Sequence, residues 1–174
     1  NGTRVISDVA ADNPEESASS LLAMTGMDGV RYGGRNAMLF NQLDVATLGE
    51  TGDETNRYFR RAVGGLDRLA KRQGIIIFKG ETAEMGPCIG SENPDGLIKY
   101  VWSGVMLSAF HPDVDIDSGT IRDGNIAVAL RERGLRANGG SSARKAFAKW
   151  YGPQWWSIPA AQDDIKAAAV GCVL

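Results

Sequence analysis

Histidine is almost missing from this chain. The single one, His111, stands beside Pro112 and reads as a turn residue. A histidine-based catalytic triad is therefore excluded. Cysteine is nearly as scarce: only Cys88 and Cys172 occur, in no metal-binding spacing, and they read as two free thiols in a reducing cytosol. Neither His nor Lys adjoins Cys88 to activate it, so an inert thiol is expected there. No apolar run approaches the roughly 18 residues needed to span a membrane. The N-terminus shows no charged segment followed by an apolar one, so no secretory signal is read and a cytoplasmic location is expected. Excess positive charge is lacking too. A net charge of −2 and a pI near 5.4 argue against a nucleic-acid-binding footprint.

What the chain does have is glycine: 22 of 174 residues, roughly twice the average usage. That excess fits tight turns and close backbone approaches of the kind phosphate sites need, although a merely loop-rich domain would show it as well. The other proportions, 43% apolar and 23% charged, are ordinary for a globular protein of α/β (α+β) class.

In chain order, Thr3–Val9 alternates as a strand ending near Asp8. Asn13-Pro14-Glu15-Glu16 opens a helix that should run to about Met24 and stop before Gly26. Turns are expected at Asp28-Gly29 and Gly33-Gly34. Ala37–Asn41 reads as a short buried strand, with Asp44 at the opening of a helix. Thr51-Gly52-Asp53-Glu54 has the form of a capping box for a half-buried helix. Tyr58 or Phe59, Ala62, Val63, Leu66, Leu69 and Ala70 form its inner face, and Gly74 its left-handed end.

Ile75-Ile76-Ile77-Phe78 then reads as a fully buried strand. It delivers Lys79-Gly80-Glu81-Thr82-Ala83-Glu84-Met85-Gly86-Pro87 as a loop carrying two carboxylates, Glu81 and Glu84. Loops at the carboxyl ends of buried strands are common ligand sites; the alternative is an ordinary solvated loop. A turn at Asn93-Pro94-Asp95-Gly96 precedes a long strand over Leu97–Leu107. Near the end, Trp150, Trp155 and Trp156 read as the packing of a chain end, before a short amphipathic helix over Ala160–Ala169 with Ile165 and Ala168 inward.

Three stretches carry a family resemblance. Gly80–Met85 resembles the Gly-Gly-Glu-Thr-Ala-Glu-Met-Pro-Gly signature of the aminoimidazole ribonucleotide synthetase (phosphoribosylformylglycinamidine cyclo-ligase) family, with Lys79 at the first glycine and the closing pair reversed as Gly86-Pro87. Asn41–Gly49 resembles the wider superfamily's Asn-x-x-Asp-[Ile/Val]-Ala-x-[Met/Leu]-Gly. Gly134–Lys145 resembles Gly-Leu-His-Ser-Asn-Gly-x-Ser-Leu-x-Arg-Lys, with Arg136 at the histidine. The family's Asp-Gly-x-Gly-Thr-Lys loop has only Asp8 as its counterpart.

The resemblance implies a PurM-like fold: a mixed sheet covered by helices over 1–112, and over 113–174 the start of a second α/β domain, entered through Ile116–Leu130. It implies ATP and Mg²⁺ as cofactors. The implied reaction is closure of formylglycinamidine ribonucleotide to aminoimidazole ribonucleotide in purine synthesis. Asp44 and Asp8 would hold the metal, and Glu81 and Glu84 would orient nucleotide or substrate as catalytic groups. Asn41, Asp44, Gly80, Thr82, Asn138, Gly139 and Ser141 would contact ATP or a ribose phosphate. The implied partners are a small nucleotide substrate and a second copy in a homodimer with a shared barrel, with no nucleic acid and no membrane. The alternatives are a non-catalytic binding or assembly protein of the same fold, or an ATP-dependent relative acting on another small phosphoryl acceptor.

Overall fold

The computed structural model describes residues 14–90, 98–114, 116, 118–129, 140–161, 163 and 164. The strand expected over Thr3–Val9 and the turn at Asn93–Gly96 lie outside these.

Helix α1 spans Pro14–Val30 and runs on through Gly26 and Gly29, where a stop and a turn are expected from the sequence. Tertiary packing explains the difference. A Cβ on Gly26 would lie 2.5 Å from Asn36 Nδ2, and one on Gly29 would lie 2.3 Å from Ser108 Oγ. The two glycines are a notch through which the helix approaches the sheet, and the turn is deferred to Gly33, at φ +80°.

Strand β1 (Arg35–Val45) follows, then helix α2 (Glu54–Gln73), strand β2 (Ile76–Glu84) and strand β3 (Tyr100–Ala109). The sheet order is β2-β1-β3, with β1 parallel to β2 and antiparallel to β3. This is a mixed α/β fold. Parallel neighbours need a crossover, and α2 provides it.

Asp53, rather than Thr51, caps α2: its carboxylate accepts from Asn56 N at 2.8 Å. Gly74 closes the helix at φ +68°, in the left-handed region expected of it. Thr55, Phe59, Ala62, Gly65, Leu66 and Ala70 are buried, whereas Val63 is exposed because it falls one step off the stripe.

Helices cover one face of the sheet. Ala18, Leu21 and Leu22 of α1, Leu39 of β1, and Leu66 and Ala70 of α2 meet Ile75 in the main core. A neighbouring cluster joins Leu43, Val45, Phe59 and Tyr100. Above it, the hydroxyls of Ser17, Tyr58 and Tyr100 close a ring of hydrogen bonds at 2.9, 2.6 and 3.0 Å, joining α1, α2 and β3. Among the described residues no element covers the other face, called the open face below, and the run Ile75–Phe78 is not fully buried as expected. Ile75 is inside, but Ile76 and Phe78 are 56% and 65% exposed.

Beyond β3, Ser118–Thr120 forms a 3-10 turn, and Ile121, Ile126 and Val128 are exposed on a segment outside the sheet. Helix α3 (Gly140–Tyr151) packs with a third cluster, in which Phe147 stacks on the buried Trp155 at 5.4 Å. The Tyr151 hydroxyl donates to Asp164, and that hydrogen bond raises the phenol pKa above its ordinary 10.0. Helix continues at 159–161, 163 and 164; Ile165 and Ala168 lie outside the described residues. No described helix is long and apolar enough to cross a membrane.

Gly104 lies under α1: an added Cβ would meet Thr25 Cγ2 at 2.9 Å, Leu21 Cδ1 at 3.1 Å and Leu39 Cδ1 at 3.3 Å. Gly104→Val is expected to destabilise the fold by about 1–3 kcal/mol through overpacking, read as a lower urea midpoint. An unchanged midpoint would show that the helix does not press on the strand there.

Candidate functional site

Alternation along β1 sorts its side chains between the two faces. Leu39, Asn41, Leu43 and Val45 point to the helices; Phe40, Gln42 and Asp44 point to the open face. Asp44 therefore lies in the strand, half-buried, and does not open a helix as expected, since the loop 46–53 intervenes before α2.

The stretch Lys79–Glu84 is strand as well, not loop. Its backbone continues the parallel ladder with β1, from Phe40↔Lys79 to Val45↔Glu84. A bulge precedes it. Leu39 pairs with Ile77 and Phe40 with Lys79, so Phe78 is the extra residue, and its ring lies 5.2 Å from that of Phe40. After the bulge, Glu81 stands opposite Gln42 and Ala83 opposite Asp44. Glu81 thus shares the open face with Asp44, one position along on the neighbouring strand. Glu84 is paired with Val45 and falls on the other face, so the two glutamates are not brought together.

Polar groups on the open face are ordered by short contacts. Gln42 Nε2 donates to Asp44 Oδ1 at 2.8 Å, and Lys79 Nζ lies 3.4 Å from Glu81 Oε2. Gln42 and Lys79 were not among the sequence-derived site residues. The period-two spacing from Asp44 back to Gln42 was the signal that could have found Gln42.

On the helix side, Asn41 has both ends engaged. Its Oδ1 accepts from Trp102 Nε1 at 3.1 Å, and its Nδ2 donates to the Lys79 carbonyl at 3.1 Å. Gly80 and Thr82 follow Asn41 and Leu43 in register on this side.

The remaining sequence-derived positions do not belong to β1 or β2. Ser141 is exposed in the first turn of α3, which packs against the turn Trp155–Ser157. Asp8, Asn138 and Gly139 lie outside the described residues. Cys88 is an exposed free thiol ending the 3-10 turn Gly86–Cys88. His111 is exposed, its Nδ1 accepting from Asp113 N at 3.2 Å, as a turn residue does.

Among the described residues no group of three or more His, Cys, Asp or Glu side chains forms a metal cage. Magnesium that arrives with a nucleotide needs only one or two carboxylates, the rest of its shell being phosphate oxygens and water. Asp44, on the open face toward the carboxyl end of a parallel pair, fits that smaller requirement.

The sheet and its covering helices define a mixed α/β protein; comparison with known proteins narrows the class. The chain is 27% identical over 151 residues to the phosphoribosylformylglycinamidine cyclo-ligase of Pyrococcus furiosus, covering 87% of this chain and 41% of that one. Against the cyclo-ligase of Streptococcus pyogenes serotype M12 it is 27% identical over 104 residues, 60% of this chain and 29% of that one. Against that of Methanococcus vannielii it is 25% identical over 147 residues, 84% of this chain and 38% of that one. The family resemblance read from the motifs is borne out at this level: the chain is a divergent relative of these cyclo-ligases. No protein-family model matches it. It spans 29–41% of the length of these curated relatives.

The Lys79–Glu81 pair is solvent-exposed, with side chains 68% and 57% accessible. Lys79→Met is therefore expected to change stability by no more than about 0.5 kcal/mol in urea unfolding. A larger loss would mean that the lysine does more than neutralise its neighbour.

Proposed function

We propose that this chain is the nucleotide-handling part of an ATP- and magnesium-dependent cyclo-ligase that closes formylglycinamidine ribonucleotide to aminoimidazole ribonucleotide in the cytoplasm. One observation carries the reading: the bulge in β2 brings Glu81, from the Gly80–Met85 motif, onto the same open face as Asp44, from the Asn41–Gly49 motif. Two separately matched motifs thus share one surface, and the relatives that match are cyclo-ligases by name.

In that reaction the formyl amide oxygen of the substrate takes the γ-phosphoryl group of ATP. The substrate's own amine then attacks the activated carbon, and phosphate leaves with the former amide oxygen. A magnesium ion bound with the nucleotide would supply neutralisation of phosphate charge. This chain's part is positioning. Asp44, whose Oδ1 accepts from Gln42, would hold the metal through its carboxylate. Asp8 would be its companion carboxylate. Glu81, with Lys79 beside it, orients nucleotide or substrate on the same face, and Asn138, Gly139 and Ser141 supply donors to phosphate.

The division into an N-terminal unit over 1–112 and the opening of a second domain over 113–174 belongs to this proposal. So does a homodimer that covers the apolar end of the open face, where Ile76, Phe78, Val105 and Leu107 are all more than half exposed.

A second reading, a non-catalytic binding or assembly protein of the same fold, is favoured by Arg136 in the place of histidine and by the absence of Gly-Thr-Lys after Asp8. A third keeps phosphoryl transfer but takes another small acceptor.

A thermal shift separates them. Mg·ATP at about 100 times its dissociation constant stabilises by about 2.7 kcal/mol. That corresponds to a rise of several degrees, at about 2–4 °C per kcal/mol for a chain of this size. The rise is expected to vanish with chelator and in Asp44→Asn. No shift in a folded sample would support the non-catalytic reading, and binding without ring closure would support the third.

A further inference from the structure

We infer that Asn41 is a positioning residue: a clamp across all three strands that sets the register of β2 and thereby puts Glu81 on the face of Asp44. Register in a sheet is normally dictated by which residues are buried, because a slip of one residue turns every side chain to the opposite face. In β2 that guidance ends early. Ile75 is buried and Ile77 is half-buried against the core, but every residue from Phe78 to Thr82 is exposed. On burial alone, the second half of β2 could pair with or without the bulge at Phe78.

Without the bulge, Phe78 would stand opposite Phe40, Gly80 opposite Gln42, and Glu81 opposite Leu43. Glu81 would then point to the helix side, away from Asp44. The observed register is held where the choice is made. Asn41 Nδ2 donates to the carbonyl of Lys79, the residue just after the bulge, at 3.1 Å. The amide cannot swing away, because Trp102 Nε1 holds its Oδ1 at 3.1 Å from β3. The orientation of the amide follows from its partners: an indole N–H only donates and a carbonyl only accepts.

Gly80 completes the device. A Cβ there would lie 3.2 Å from Asn41 Nδ2, so the amide rests over a position kept free of side chain. This gives the asparagine and the glycine of two separate motifs one physical task. The bearing of the clamp on nucleotide binding rests on the function proposed above; the register itself does not.

The test is NMR of the isotopically labelled full chain together with Mg·ATP titration. In the wild type, interstrand NOEs should link Phe40 to Lys79 and Gln42 to Glu81. Asn41→Asp keeps the shape and the acceptor for Trp102 but removes the donor to Lys79. In it, NOEs linking Phe40 to Phe78 and Gln42 to Gly80 should appear, and Mg·ATP affinity should fall about 10- to 100-fold, as when a residue that positions a binding side chain is removed. Trp102→Phe, which keeps an aromatic ring in the core, should move both readouts in the same direction and decides the matter if Asn41→Asp does not fold. A folded Asn41→Asp with wild-type NOEs would overturn the clamp whatever the nucleotide does. A wild type that shows the bulged register but no response to Mg·ATP would sink the proposed function and leave the clamp standing.

Discussion

The packing of two helices on one face of a three-stranded sheet is the constraint on which the rest of the described structure depends. Helices α1 and α2 press on Leu39, Leu43 and Val45, so the alternate residues of the central strand have no choice but the other face. Burial of the first set, at about 25 cal/mol for each Å² of apolar surface removed from water, is what holds the second set out. Asp44 and Gln42 are presented to solvent for that reason and not through any preference of their own. The close seat of α1, made possible by Gly26, Gly29 and Gly104, keeps the covered face tight enough to enforce the division.

Chemistry on the open face is arranged in two halves. Toward the start of β1 the surface is apolar, with Phe40 against Phe78; toward its end it is polar, with Gln42 bonded to Asp44 and Lys79 beside Glu81. The polar half lies where parallel strands deliver their carboxyl ends, the usual position of ligands in α/β sheets. Of the residues that the family likeness singles out, Asp44 and Glu81 lie on this face, while Asn41, Gly80, Thr82 and Glu84 lie on the other.

The helix α2 was legible in the sequence because its apolar period, its capping region and its terminal glycine agree with one another. The Lys79–Glu84 strand was not. It is polar, glycine-bearing and at a sheet edge, and only pairing with β1 makes it extended. The length of α1 was hidden for a related reason: Gly26 and Gly29 carry the local signature of a stop, yet their lack of side chains serves an approach between elements that adjacent residues do not encode. Asp44 and Glu81 could be picked out by motif, but their shared face depends on the one-residue bulge at Phe78, which no composition or period announces.

The crossover has a consequence for where defects will be felt. β1 and β2 run parallel and cannot be tied by a short hairpin, so their pairing depends on α2 lying down correctly between them. Ala62, Leu66 and Ala70, none of which lies on the open face, therefore bear on the pairing of β1 with β2 through the packing of the helix that joins them. Variation at such buried helix positions would act on the pairing of β1 with β2 as well as on the core. The map of sensitive positions in this protein is thus wider than its site, and follows the underside of one helix.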